Sequence, residues 1–293
     1  MRIFQASLAL AVLKRHYEIF NEPINVLLSV PLVGKEMKLF LIDYRHMSDR
    51  IIADSGAWSV VKGNSNFTIE QLIFRLKPWE DKLFLYFNFD IDFSNLGFKN
   101  NYSNQLKMER AGLKPAPVIH NLYGNEISFY ANSGKYPWLA LGSSQTTTFA
   151  DLKYGVDQIK WINPNIKVHW FGGSKFDWLV RLPIASCDSS SWAKTGGFGN
   201  IYYWNAHKEG LNKTERIYVG GYMNDEDDGT YHFVTYKWRD ELEKYLRETF
   251  GFEYADLLGY DDKFNMQLVN TRFYMELERK VNEERIKRGI PLE

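Results

Sequence analysis

Seven short runs of almost unbroken apolar residues, at positions 24–30, 50–53, 83–89, 115–119, 138–141, 167–171 and 183–187, constrain this chain more than any other feature. Each has the length of one strand. They lack the strict apolar–polar alternation of a half-exposed strand, and such runs belong to strands buried on both faces, as in a parallel sheet. Helix signals fall between them. Thr68-Ile69-Glu70-Gln71 reads as a capping box, residues 149–162 carry apolar side chains at helical spacing before Asn163-Pro164 stops them, and Ser174 is placed to cap a helix reaching about Leu182. Strands alternating with helices predict an α/β fold, a (β/α)8 TIM-type barrel. Its eighth strand is either 200–204 or 216–220, with the other forming a hairpin or lid. Residues 1–20, with Phe4, Leu8, Leu10, Val12 and Leu13, read as an amphipathic helix covering one end of the fold. Beyond an acidic turn at 225–229, helices are expected over 231–249 and 268–287, an appendage starting at about residue 230 of a single domain spanning 1–293.

The 293 residues, 45% of them hydrophobic, are enough to bury the core of one large barrel. Basic and acidic side chains cancel at 36 each, so no global field draws nucleic acid, and a polyanion site has to be a local basic patch. Lys14, Arg15 and His16 interrupt the first apolar stretch too soon for a membrane span, and no small-residue cleavage site follows it. Cys187 stands alone, which excludes an intrachain disulfide and a cysteine-rich zinc site and suits a reducing compartment, the cytoplasm. Neither a metal nor a cofactor is expected.

The apolar runs end on groups that can do chemistry: Asp54, Asp90 with Asp92, His120, and Asp188. Strand ends are rigid and open into substrate-holding loops, which is where β/α proteins place their active sites. The ends Leu139-Ala140-Leu141-Gly142-Ser143-Ser144 and His169-Trp170-Phe171-Gly172-Gly173 add glycines that let a planar ligand approach the main chain. Several carboxylates without a cysteine cluster point to glycosidic or related C–O and C–N chemistry rather than redox work. Each group also has a plainer reading. Asp-Ser-Gly is a common turn, Asp188 before three serines can cap a helix, and His120 and His169 can be satisfied core histidines. Trp58, Trp138, Trp170, Trp178 and Trp192 belong first to the core, although one or two at the mouth can stack on a base.

Taken in order, these strand ends resemble the tRNA-guanine transglycosylase superfamily, most of all its shorter, zinc-less members that insert 7-deazaguanine bases into DNA, the DpdA-like proteins of phages and bacterial islands. The resemblance runs from about Val26 to Lys194. Asp54-Ser55-Gly56 stands for the family's Asp-Ser-Gly-Gly, Asp90 for its base-reading aspartate, Leu139-Ala140-Leu141-Gly142 for its Leu-Ala-Val-Gly strand, and Asp188 for its nucleophile. The chain departs from the family in having Ala57 and Trp58 after the glycine, His120 in place of a glutamine, and Trp192-Ala193-Lys194 in place of Pro-Thr-Arg. It also cannot build the family's zinc site of three cysteines and a histidine.

The resemblance implies base exchange at a sugar C1′ through an oxocarbenium-like state, with Asp188 as nucleophile holding a covalent glycosyl intermediate and Asp54 moving protons on and off the bases. It further implies a base pocket made by Asp90, Asp92, His120 and Ser55, by Gly142 and Gly172, and by backbone groups at Trp138 and Leu139, with Lys194 as a phosphate contact. The substrate implied is guanine in DNA rather than tRNA, the incoming partner a free 7-deazaguanine base, and a homodimer or an accessory protein is what family analogy adds. Other readings remain open at this stage: a tRNA enzyme, a non-catalytic barrel that binds nucleic acid or a partner, and a hydrolase of small nucleosides. Lys208, Lys213 and Arg216 are further phosphate-contact candidates.

Overall fold

The computed structural model describes residues 1–94, 96–142, 147–220, 230–258 and 262–292. The acidic turn expected at 225–229, and Ser143 and Ser144, lie outside these residues. Two compact units make up the chain: Met1–Ser7, Pro23–Ser189 and Val281–Glu293 form the first, and Leu8–Glu22 with Ser190–Lys280 form the second.

The first unit is a (β/α)8 TIM-type barrel. Its eight strands are β1 (Arg2–Ala6), β2 (Ile24–Ser29), β3 (Ser48–Asp54), β4 (Leu85–Tyr86), β5 (Val118–Ile119), β6 (Trp138–Leu141), β7 (Lys167–Trp170) and β8 (Ser186–Ser189). All neighbours are parallel, in the order β4-β3-β2-β1-β8-β7-β6-β5. A parallel bridge between Phe87 and Ala116 joins the two ends of that order, with Asn88 N–H donating to Ala116 O at 3.0 Å and Ala116 N–H to Tyr86 O at 2.9 Å.

Two expectations are corrected here. Residues 1–20 are not one covering helix: Arg2–Ala6 is the strand between β2 and β8, and only Leu10–Phe20, α1, is helical. Ser7, at φ 60°, breaks the chain between them. A five-residue strand running into a helix reads as helix throughout, because periodicity cannot separate so short a strand from a helical turn. The eighth barrel strand is therefore β1, and neither 200–204 nor 216–220 supplies it.

Short helices follow the strands: α2 (Val30–Val33), α3 (Ala57–Val61), α4 (Ile69–Leu76), α5 (Phe98–Arg110), α6 (Glu126–Asn132), α7 (Phe149–Ile162) and α8 (Phe176–Leu179). The capping box at Thr68 and Gln71 is formed, and Thr148 with Asp151 makes another at the start of α7. Alternate residues of each strand face the barrel interior, where Phe4, Ala6, Leu27, Ile52, Leu85, Phe87, Ala116, Val118 and Ala140 pack into one cluster. Near the C-terminus Arg285, fully buried, donates to the carbonyls of Leu179, Leu182 and Ile184 and so satisfies the turn that leads into β8.

In the second unit, α9 (Ser191–Gly197) precedes a three-stranded sheet of β9 (Asn200–Trp204), β10 (Thr214–Tyr218) and β11 (Thr230–His232). The pairing of β9 with β10 is antiparallel, the geometry of a hairpin and not of a barrel strand. Helix α10 (Arg239–Phe250) begins eight residues later than the sequence suggests, because β11 and a 3-10 turn take up residues 230–235. The long α11 (Asp262–Lys287) carries Asn270, which is buried; its amide donates to Trp192 O and Asn200 O and accepts from Tyr202 N–H.

Candidate active site

Strand register puts the carboxylates at one mouth of the barrel. Along β3 the inward positions are Arg50, Ile52 and Asp54, so one strand carries a cation at its start, an apolar middle and an acid at its end. Asp188 faces inward from β8, Asp90 stands just past β4, and His120 directly follows β5. Asp54 is pushed up to about 7, first by burial and then by the negative charges of Asp90 and Asp188. Asp90 and Asp188 therefore both bear on Asp54, although the three acids come from three different strands.

Each acid is held differently. Asp54 Oδ2 accepts from Gly56 N–H at 3.2 Å, a turn that puts Gly56 at φ 78°. A β-carbon there would stand 2.2 Å from Pro31 Cγ, so only glycine fits. Asp90 is buried; its Oδ2 lies 2.7 Å from His120 Nε2, and its Oδ1 accepts from Ser55 Oγ at 3.4 Å. His120 is fixed in turn by its own N–H donating to buried Glu126 at 3.1 Å, and by Gly142, where a β-carbon would come within 2.6 Å of His120 Nδ1. Burial raises the Glu126 carboxyl above its ordinary range.

Asp188 Oδ1 accepts from Gly172 N–H at 2.9 Å and stands 3.3 Å from His169 Nε2, out of line for a good hydrogen bond. Both contacts fall on Oδ1, leaving Oδ2 as the oxygen that can attack. His169 Nδ1 pairs with Ser186 Oγ at 2.8 Å. Sequence reasoning took His169 for packing, and it does sit among Phe4, Phe87 and Phe171, yet it also touches the candidate nucleophile. The signal was available: His169 on β7 and Ser186 and Asp188 on β8 share the inward alternation.

An aromatic ladder leads out from Asp90. Phe93 lies 4.6 Å from the His120 ring, and Trp58, largely exposed on α3, stacks on Phe93 at 5.8 Å and 19°. Lys62 Nζ rests 4.8 Å above the Trp58 ring.

Three expected site residues, Asp92, Trp138 and Leu139, are placed elsewhere in the barrel. Asp92 organises its own loop, accepting from Ser94 and Asn100, contacts that hold its carboxyl below the usual range. Trp138 and Leu139 begin β6, so they lie at the far end of the barrel from Gly142; Trp138 faces a cavity with Arg2, Arg50 and Lys167, and Leu139 is buried. Lys194 belongs to α9 of the second unit. Also in that unit, Lys208 donates to Thr214 O, Lys213 to Lys208 O and Arg216 to Thr230 Oγ1, so these candidates tie their own loops together. Among the described residues, no group of three or more His, Cys, Asp or Glu side chains is arranged to hold a metal ion, and no helix is long and apolar enough to cross a membrane.

No family model matches this sequence, and no curated protein matches it either. Solved structures of similar shape include a monomeric dihydrodipicolinate synthase variant, 12% identical, with a TM-score of 0.45 over 64% of this chain and 68% of that one. A likeness so distant carries no argument about chemistry.

Proposed function

We propose that this protein is a base-exchange transglycosylase that replaces guanine in DNA with a 7-deazaguanine base through a covalent aspartyl-glycosyl intermediate. The observation that carries the reading is the group of three acids at one barrel mouth, with Asp54 pushed up to about 7 and Asp188 held by one oxygen only.

The reaction needs a nucleophile that stays ionised and a second acid that changes state near neutral pH. Asp188 Oδ2 attacks C1′ as the bond to guanine N9 breaks, and the bonding pair leaves with the base. Asp54 donates the proton that neutralises the departing guanine. The incoming 7-deazaguanine then gives its N9 proton to Asp54, its nitrogen pair forms the new bond to C1′, and the Asp188 carboxylate is released. A group titrating at about 7 can give and take that proton with little free-energy cost in either direction.

Asp90 reads the base. Each carboxylate oxygen has two acceptor sites, so Asp90 can keep His120 and Ser55 and still accept from guanine N1–H and the exocyclic amine. The Trp58–Phe93 ladder with Lys62 beside it supplies the stacking face and cation with which proteins hold single-stranded or flipped-out bases.

The test is incorporation of labelled guanine into duplex DNA, single-stranded DNA and total tRNA, with Asp188→Asn run beside the wild type. Label should enter DNA only, and only with Asp188 intact. Label in tRNA alone makes this a tRNA enzyme, label entering equally with Asp188→Asn removes the nucleophile, and no label anywhere favours a non-catalytic barrel.

A further inference from the structure

The opposite mouth of the barrel holds a second cluster of charge that base exchange does not use. A cavity of about 90 Å³ at the strand starts is lined by Arg2, Arg50, Phe84, Trp138, Lys167 and Ser186. Arg2, Arg50 and Lys167 are inward positions of β1, β3 and β7, so strand register itself, and not a flexible loop, makes them converge.

Little around them balances their charge. Among the described residues, the one acid within ion-pair distance of the three is Asp49, 3.7 Å from Arg2 Nε and itself half exposed. The Arg50 guanidinium lies 4.1 Å over the Phe84 ring, and the Lys167 ammonium 5.7 Å from the Trp138 ring centre. The Nε atoms of both arginines are sealed from solvent, and neither has a hydrogen-bond acceptor among the described residues. Unmatched buried N–H groups are costly, and three like charges around one small space repel. Residues at this end of a barrel ordinarily serve stability; these oppose it unless something negative completes them.

We propose that this cavity binds a phosphate group, gripped by the guanidinium groups of Arg2 and Arg50 and by the Lys167 ammonium. Guanidinium forks match the oxygens of a tetrahedral oxyanion, and the lysine adds a mobile point charge at the rim. The cavity has room for the phosphate itself, while what the phosphate is attached to projects outward. Free phosphate, a sugar phosphate and a nucleic-acid backbone share that chemistry.

The experiment is thermal unfolding of the full chain against rising inorganic phosphate, ribose 5-phosphate or a short oligodeoxynucleotide, at ionic strength matched with chloride. A saturable rise of roughly 5 °C is expected at a hundredfold excess over Kd. That rise should vanish in Arg50→Gln and in Lys167→Gln, and persist in Lys153→Gln, an exposed lysine of α7. Lys167 is exposed, so its variant decides the matter if Arg50→Gln does not fold. A rise with one of the three ligands alone identifies the source of the phosphate and supports the site if both cavity variants lose it. No rise with any ligand, or a rise that survives Lys167→Gln at full size, overturns the proposal.

Discussion

Asp54→Asn should make the protein more stable and less active, and the stability gain should depend on pH. Asp54 titrates at about 7 in the fold against an ordinary value of 3.8, so between those values the native state binds more protons than the unfolded chain does. Stability from this group is thus fully present below about pH 4 and is lost as pH rises to about 7. At 1.36 kcal/mol per unit, the loss relative to a neutral side chain is about 2 kcal/mol at pH 5 and about 4 kcal/mol at pH 8, as upper values. Asparagine keeps an oxygen to accept from Gly56 N–H and carries no charge to repel Asp90 and Asp188. Urea unfolding of both proteins at pH 5 and pH 8 measures the difference at each. The variant should be the more stable at both, with its advantage about 2 kcal/mol larger at pH 8. Base exchange should fall by about 10²–10⁴-fold, the usual contribution of a positioned acid–base group. An advantage that does not change with pH, or a variant less stable at pH 8, refutes the electrostatic account of this mouth.

Three further outcomes follow from the geometry. Gly142→Ala puts a β-carbon 2.6 Å from His120 Nδ1 and should push the ring off Asp90, raising KM for guanine by about tenfold; in a His120→Ala background the same change should have no further effect, as a double-mutant cycle will show. Trp58→Ala removes an exposed indole, so circular dichroism should be unchanged while DNA binding weakens by about 1–3 kcal/mol, read by fluorescence anisotropy. Arg285→Met leaves the carbonyls of Leu179, Leu182 and Ile184 without their donor and should cost about 3 kcal/mol in urea unfolding.

Seven of the eight barrel strands were legible in the sequence because each is a buried parallel strand with its own continuous apolar run. β1 was hidden by its neighbour: Arg2–Ala6 is five residues long and runs through Ser7 directly into α1, so its apolar side chains Ile3, Phe4 and Ala6 read as the first turn of one helix. Asp54, Asp90 and Asp188 were legible as strand-end acids at one mouth because each directly follows an apolar run of strand length. Trp138 and Leu139 were misplaced because a strand motif gives residue order without saying which end of the strand faces the substrate; only the register does that, with Leu141 as the last residue of β6. Asp92 was misassigned because an acid two positions after another looks equivalent to it, whereas Asn100 and Asn101 draw it into the loop before α5. The zero net charge is compatible with a separation along the barrel axis, with carboxylates at one mouth and Arg2, Arg50 and Lys167 at the other, a local basic patch whose position only the strand register reveals.

One polar thread, Ser186–His169–Asp188, runs between the two mouths. Ser186 lines the lower cavity and pairs with His169 Nδ1, while His169 Nε2 faces Asp188 Oδ1. Phe4, Phe87 and Phe171 surround the imidazole, so Ser186 and Asp188 are the polar side chains beside its two nitrogens. With Asp188 as the carboxylate of the proposed reaction, the matching tautomer would carry its proton on Nε2 and let Nδ1 accept from the serine hydroxyl. That hydroxyl has one proton to give. An anion in the cavity that took it would force Nδ1 to donate, strip Nε2 and turn a lone pair toward the nucleophile. Were the proposed phosphate held by the three cations without Ser186, the serine would keep its pairing with His169 and that proton arrangement would be undisturbed.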